Sequence, residues 1–215
     1  MRPHQLRAET AAAIVAVLAG LPVPAAAQIG QPAVPSEGER ALDAIPAAQR
    51  SRLLAEGVLL LEAARRPNMT LGALLIVERP ARETFERLAR PAEQRCYLPE
   101  VKRSTSIRRV EGEELVEFEV DKVFNVRFRV MHHFWPDRLA IDWALDPSFD
   151  NGLRDLRGYF QVTAIAPGRA LVEYGTAVDT SRLVPNFLQR RFMRRDVPVA
   201  LHRLRDYIQG GATCR

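Results

Sequence analysis

The stretch Leu183–Ile208, LVPNFLQRRFMRRDVPVALHRLRDYI, constrains the fold more than any other. Val184, Phe187, Leu188 and Phe192 recur at the spacing of one helix face, and Leu201, Leu204 and Ile208 continue that stripe past an irregularity at Asp196-Val197-Pro198. Arg190, Arg191, Arg194, Arg195, Arg203 and Arg205 lie mostly off it. Pro198 reads either as a bend within one helix or as the start of a second helix capped by Asp196. The segments before this helix carry strand patterns. An amphipathic helix that ends a run of strands has one surface large enough to bury its stripe, the face of a sheet.

The strongest strand pattern lies between Leu115 and Phe134. Val116, Phe118 and Val120 alternate with Glu117, Glu119 and Asp121, and Val126, Phe128 and Val130 alternate with Arg127 and Arg129. A loop at Val123-Phe124-Asn125 sets Glu119 opposite Arg129 and Asp121 opposite Arg127, with the apolar side chains together on the other face. Pro136-Asp137 is the next turn, after which Leu139, Ile141, Trp143 and Leu145 alternate with small and polar residues. Gly158 to Ile165 and Ala170 to Val178 form a last hairpin around Ala166-Pro167-Gly168. Earlier in the chain, Val58 to Glu62 and Leu71 to Glu78 read as strands on either side of a turn at Arg65-Arg66-Pro67-Asn68. Pro80 opens a helix over Ala81 to Ala89 that Pro91 closes, and Val101 to Ile107 is a polar strand suited to a sheet edge. The order predicts an α+β domain: a curved antiparallel sheet holding a long C-terminal helix, with short helices after the early strands.

The N-terminus predicts export. Arg2 and Arg7 precede a short apolar run, Ala11 to Leu21, and Ala25-Ala26-Ala27 offers a small-residue cleavage site, the layout of a secretory signal peptide. The run is shorter than the ~20 residues of a membrane span, and Pro22 and Pro24 close it. Residues 1–27 are thus expected to leave on cleavage near Ala27, giving a periplasmic protein. Residues 28–56 read as a linker containing Gly30, Pro32 and Pro35, followed by a short helix over Pro46 to Glu56 that Gly57 ends. Residues 57–210 then form the main domain and 211–215 a tail. Export permits a disulfide between Cys96 and Cys214, but the preferred reading is one partly buried thiol and one tail thiol.

The chain carries a net charge of +5, yet its arginines are scattered among 26 acidic residues and no nucleic-acid-binding motif appears, so a nucleic-acid partner is not expected. No metal-ligand spacing or cofactor motif appears either.

Between Leu71 and Ile208 the chain resembles the START-like superfamily, also called Bet v 1-like or SRPBCC, including its polyketide cyclase/dehydratase-like and coenzyme-Q-binding branches. VERPARETFERLARP at Val77 to Pro91, CYLPEV at Cys96 to Val101, LRDLRGYFQV at Leu153 to Val162 and the closing LVPNFLQRRFMRRDVP carry the resemblance, as an ordered set. Arg82 and Glu83 depart from the family's frequent Pro-Glu. The resemblance implies a helix-grip fold and, between sheet and helix, a cavity for lipids, quinones, polyketides or other apolar molecules.

Within that frame the site candidates follow from strand parity. Phe118, Phe128, Trp143, Phe160 and Tyr174 fall on inward faces, with Phe187 and Phe192 on the helix, and together they suit the lining of a hydrophobic-ligand site. His132 continues the Val126, Phe128 and Val130 face and points inward, while His133 and Asp142 point out. His132 and Tyr174 are the polar contacts. An enzyme of the cyclase or dehydratase type would use His132 as acid or base, but no catalytic set accompanies it, so binding and carriage of an apolar molecule is the leading expectation. A ligand-free module that binds a partner in the cell envelope is the third reading. The Arg-rich face of the last helix reads as a solvated surface or as a contact for anionic lipid headgroups.

Overall fold

A computed structural model describes residues 37–61, 64–121, 125–180 and 186–210, the last helix by its backbone alone up to residue 194. The element order is α1 (Glu37–Asp43), α2 (Ala47–Glu56), β1 (Val58–Leu61), β2 (Leu71–Val77), α3 (Ala81–Leu88), a 3-10 turn (Pro91–Cys96), β3 (Val101–Val110), β4 (Glu113–Asp121), β5 (Asn125–Trp135), β6 (Ala140–Leu145), β7 (Asp155–Ala166), β8 (Arg169–Asp179) and α4 (Asn186–Ile208). All eight strands form one antiparallel sheet in the order β1-β2-β8-β7-β6-β5-β4-β3, curled and open, with the polar strand β3 at one edge.

α4 is the pivot. Val197, Leu201, Leu204 and Ile208 are buried at i, i+4, i+7 and i+11, and Tyr207 joins them. Their partners are Leu71, Ala73, Leu75 and Val77 on the inner face of β2, with Phe85 and Leu88 of α3. The helix runs unbroken through Pro198, so Asp196 does not cap a second helix. Polar contacts pin its C-terminal end: the Gln209 side chain accepts from the Glu78 backbone N–H at 3.0 Å, and Arg79 donates to the Gln209 carbonyl at 3.3 Å. Arg205, expected on the solvated face, instead folds across Gly57 and donates to the Ile76 carbonyl at 2.7 Å.

β2 is buried along its whole length, because its outer face is covered too. Leu74 and Ile76 pack with Ile45, Leu53, Leu59 and Leu171 in a second core supplied by α1, α2 and β1. α1 was not legible as a helix from its pattern. Its Gly38 sits so close to β7 that a methyl group there would fall 2.1 Å from the Ala164 carbonyl oxygen. α2 ends at Gly57, whose φ of +74° is the left-handed conformation glycine adopts without a Cβ penalty.

The β4–β5 pairing differs from expectation by two residues. Glu117 faces Arg129, Glu119 faces Arg127, and Asp121 faces Asn125. Asn125, expected in the loop, already begins β5, and residues 122–124 lie outside the described residues. A slip of two preserves faces, since side chains alternate with period two, so every inward assignment survives. The slip also gathers charge: Glu117 accepts from Arg127 at 2.7 Å and from Arg129 at 2.8 Å, and these bonds hold its carboxyl below the usual range.

Cys96 is disulfide-bonded, which corrects the expectation of a free, partly buried thiol there, and Cys214 and residues 1–27 lie outside the described residues. Leu53 is fully buried in the outer core, so Leu53→Ala should lower the unfolding free energy by about 2–5 kcal/mol in urea titration.

Candidate functional site

Strand pairing lays the inward side chains out in transverse rows. One row runs Arg109, Glu114, His132, Trp143, Gly158, Thr176, Leu71, each residue the direct partner of the next on the neighbouring strand. The row beside it runs Phe134, Ile141, Phe160, Tyr174, Ala73. On the other side come Val116, Val130 and Leu145, then Phe118 opposite Phe128.

The expected aromatics therefore meet. Phe128 stacks on Phe118 at 5.5 Å between ring centroids, Phe118 meets the edge of His132 at 6.3 Å, and His132 lies 6.4 Å from Trp143. Trp143 continues to Phe160 at 5.0 Å and to Tyr174 at 6.0 Å, and these two close the cluster at 5.3 Å. Gly158 makes room for this belt. A Cβ there would lie 2.3 Å from Trp143 Cζ2, so the indole lies across the bare backbone of β7.

Burial divides the concave face in two. The aliphatic residues under the second half of α4 are sealed, whereas Phe128, Phe134, Trp143, Phe160 and Tyr174 are only half-buried. Trp143 packs against both inner clusters and so joins them. Phe187 and Phe192 fall on the first half of α4, where side chains lie outside the described residues.

The polar groups on this face are few. His132 is 4% exposed, and burial pushes its imidazole down to about 4, against the opposing pull of the Glu114 and Val130 backbone carbonyls. Burial pushes the Tyr174 phenol up to about 12, opposed by a side-chain hydrogen bond with Thr176. His133 and Asp142 point outward as expected: His133 Nδ1 lies 3.1 Å from Glu113, and Asp142 accepts from Arg66 at 2.8 Å and from Trp135 Nε1 at 3.1 Å.

Three groups here escaped the sequence reading. Glu114 is 2% exposed, faces His132 directly, and lies 3.3 Å from the Arg109 guanidinium. Its parity with Val116 and Phe118 was the available signal. Phe134 likewise shares parity with His132, whose ring it stacks on at 6.5 Å. Tyr97 meets Tyr207 at 4.9 Å between ring centroids, and burial, with the phenols of Tyr207 and Tyr174 beside it, pushes its pKa up strongly and keeps the phenol neutral. Among the described residues no three His, Cys, Asp or Glu side chains gather as a metal site.

No protein-family model and no curated protein matches the sequence. Solved structures do. A STAR-related lipid transfer protein from Xanthomonas axonopodis superposes with a TM-score of 0.54 at 12% identity, covering 71% of this chain and 99% of that one. A START superfamily protein from Mycobacterium smegmatis gives 0.53 at 13%, covering 65% and 96%. The protein has the START-like, Bet v 1-like helix-grip fold. The Zhui aromatase/cyclase from Streptomyces sp. R1128 shares it, with a TM-score of 0.52 at 13% identity over 71% of this chain and 94% of that one. At such identities the likeness concerns the fold alone. The START-like neighbours are covered almost entirely while part of this chain is not, so the common fold carries additional segments here.

His132 titrates in a window that tests its burial. Its folded value of about 4 lies below the ordinary 6.5, so the unfolded chain binds more protons between those values. Stability contributed by the neutral, buried imidazole is then complete above pH 6.5 and lost as pH falls towards 4, about 3 kcal/mol in all. Urea titrations at pH 7 and pH 4.5 should show wild type losing more stability than His132→Gln over that interval. Equal losses would place His132 in solvent.

Proposed function

We propose that the protein binds and carries an apolar small molecule, of lipid, quinone or polyketide-like character, in a cavity between the sheet and α4. The observation that supports this most is the aromatic belt on the concave face, continuous from Phe128 to Tyr174, in which Phe128, Trp143, Phe160 and Tyr174 are half-buried and Phe118 and His132 are sealed. A side chain serving only as core would be sealed like Leu75 or Val77. Aromatic rings left partly open beneath a helix offer a ligand burial worth ~25 cal/mol per Å² before ordering costs. The lipid-transfer neighbour from Xanthomonas axonopodis is in keeping with this reading.

A cyclase-type enzyme is the second reading, favoured by the Glu114–His132 pairing and by the aromatase/cyclase neighbour. The electrostatics weigh against it. An imidazole held near 4 and a phenol held near 12 are both far from the neutral range in which acid–base catalysis is most effective.

Export to the periplasm belongs to the same proposal, as does docking on an anionic membrane through α4. Arg195 and Arg203 are exposed there, whereas Arg205 is committed to the Ile76 carbonyl.

Native mass spectrometry of protein purified from its own host, followed by lipid extraction, should reveal a bound apolar molecule. Empty protein that also takes up nothing from vesicles would overturn the carrier reading. In sedimentation with liposomes, binding should rise with anionic lipid content and weaken on Arg195→Ala with Arg203→Ala. Binding insensitive to both would remove the membrane contact.

A further inference from the structure

The aromatic belt contains one polar break, and two of its atoms lack a hydrogen bond. Glu114 Oε2 and His132 Nδ1 are both buried without a hydrogen-bond partner among the described residues. They belong to directly opposed residues on β4 and β5, on the concave face, flanked by the rings of Phe118, Phe134 and Trp143. Leaving a buried polar atom unpaired costs about 1–3 kcal/mol, and more when the group is charged, so two such atoms side by side on a ligand-facing surface call for a common partner.

The chemistry of that partner is narrow. A carboxylate oxygen only accepts, and a neutral imidazole carries one N–H donor and one acceptor nitrogen. A group that gives its one hydrogen to Glu114 while accepting from His132 Nδ1–H is a hydroxyl. A ketone or quinone carbonyl only accepts and leaves Glu114 Oε2 with its ion pair to Arg109 but no hydrogen bond. A ligand carboxylate or phosphate meets the Glu114 charge. A ligand ammonium is redundant, because Arg109 already stands 3.3 Å from Glu114 Oε2 with its guanidinium reaching out to the rim.

Resting on the proposed apolar-ligand function, we infer that Glu114 and His132 together form the polar end of the binding site and select apolar molecules that carry a hydroxyl group, phenols and alcohols, over their ether, carbonyl and acid counterparts. His132 is neutral at physiological pH, as hydroxyl recognition requires. A water can bridge the same two atoms before the ligand arrives, and the ligand hydroxyl then reproduces its bonds on displacing it. The aromatic rings around the pair exclude competing water, and this raises the penalty for a ligand that fails to bond.

Equilibrium dialysis of the full-length wild-type protein with 4-propylphenol, 4-propylanisole, 4-propylbenzoate and 4-propylbenzylammonium tests this, since the four share one apolar scaffold. The phenol should bind at least about tenfold more tightly than the anisole, because a site built around a hydroxyl penalises an analogue that leaves its groups unpaired. Glu114→Leu should bring phenol and anisole within about twofold by weakening the phenol and leaving the anisole unchanged or tighter. Equal binding of phenol and anisole to wild type overturns the hydroxyl assignment while leaving the apolar site standing. Tightest binding of the benzoate or the ammonium overturns it in favour of charge recognition. A phenol preference that survives Glu114→Leu removes Glu114 from the site. Failure of all four probes to bind overturns the apolar-ligand reading and this inference with it. The wild-type comparison decides the matter by itself if the leucine variant does not fold.

Discussion

The structure depends on burying β2 from both sides. On the inner face Leu75 and Val77 meet Leu201, Leu204 and Ile208 of α4, and on the outer face Leu74 and Ile76 meet the side chains brought by α1, α2 and β1. A strand sealed on both faces behaves as the spine of a three-layer body, helix on sheet on helix. It holds the C-terminal half of α4 rigidly at one side of the sheet. Arg205, bonded to the Ile76 carbonyl, and Gln209, bonded to the Glu78 backbone, lock the same end.

This arrangement lets the remainder of the concave face be less than a core. Where α4 is clamped, the facing residues are aliphatic and closed. From Trp143 to Phe128 the lining turns aromatic, with Trp143 and Phe128 half-open around the buried His132 and Phe118. Aromatic rings tolerate that position because they keep their edge and face contacts with one another in either condition. The inner surface thus combines a sealed core under α4 with a second buried cluster of Val101, Val116, Phe118 and Val130, and half-open rings lie between and beside them. The polar pair Glu114–His132 sits among these rings, away from the aliphatic core under α4.

The fold was legible because its signals are periodic. Alternation on β4, β5 and β6 set the inward faces, and the α4 stripe required a sheet beneath it. What escaped had identifiable physical causes. The β4–β5 register slipped by two because opposite charges match in either register, and Glu117 with two arginines is the better arrangement. α1 is short, and its identity depends on Gly38 approaching β7, a tertiary contact with no local trace. Glu114 was overlooked because a glutamate near a hairpin turn reads as solvated. Only the strict parity with Val116 and Phe118 argued otherwise. Arg205 left the expected solvent face because the carbonyl of Ile76 lay within its reach.

The central claim is that an apolar ligand sits on the concave face against Trp143. The protein has two tryptophans, Trp143 in the aromatic belt and Trp135 on the exposed side bonded to Asp142. Their indole N–H resonances in a proton–nitrogen correlation spectrum therefore report the two sides of the sheet separately. On addition of naphthalene, which has no polar group to recruit other sites, the Trp143 resonance should shift with saturation while that of Trp135 stays in place. A spectrum in which neither indole moves, or in which Trp135 alone responds, would contradict the account.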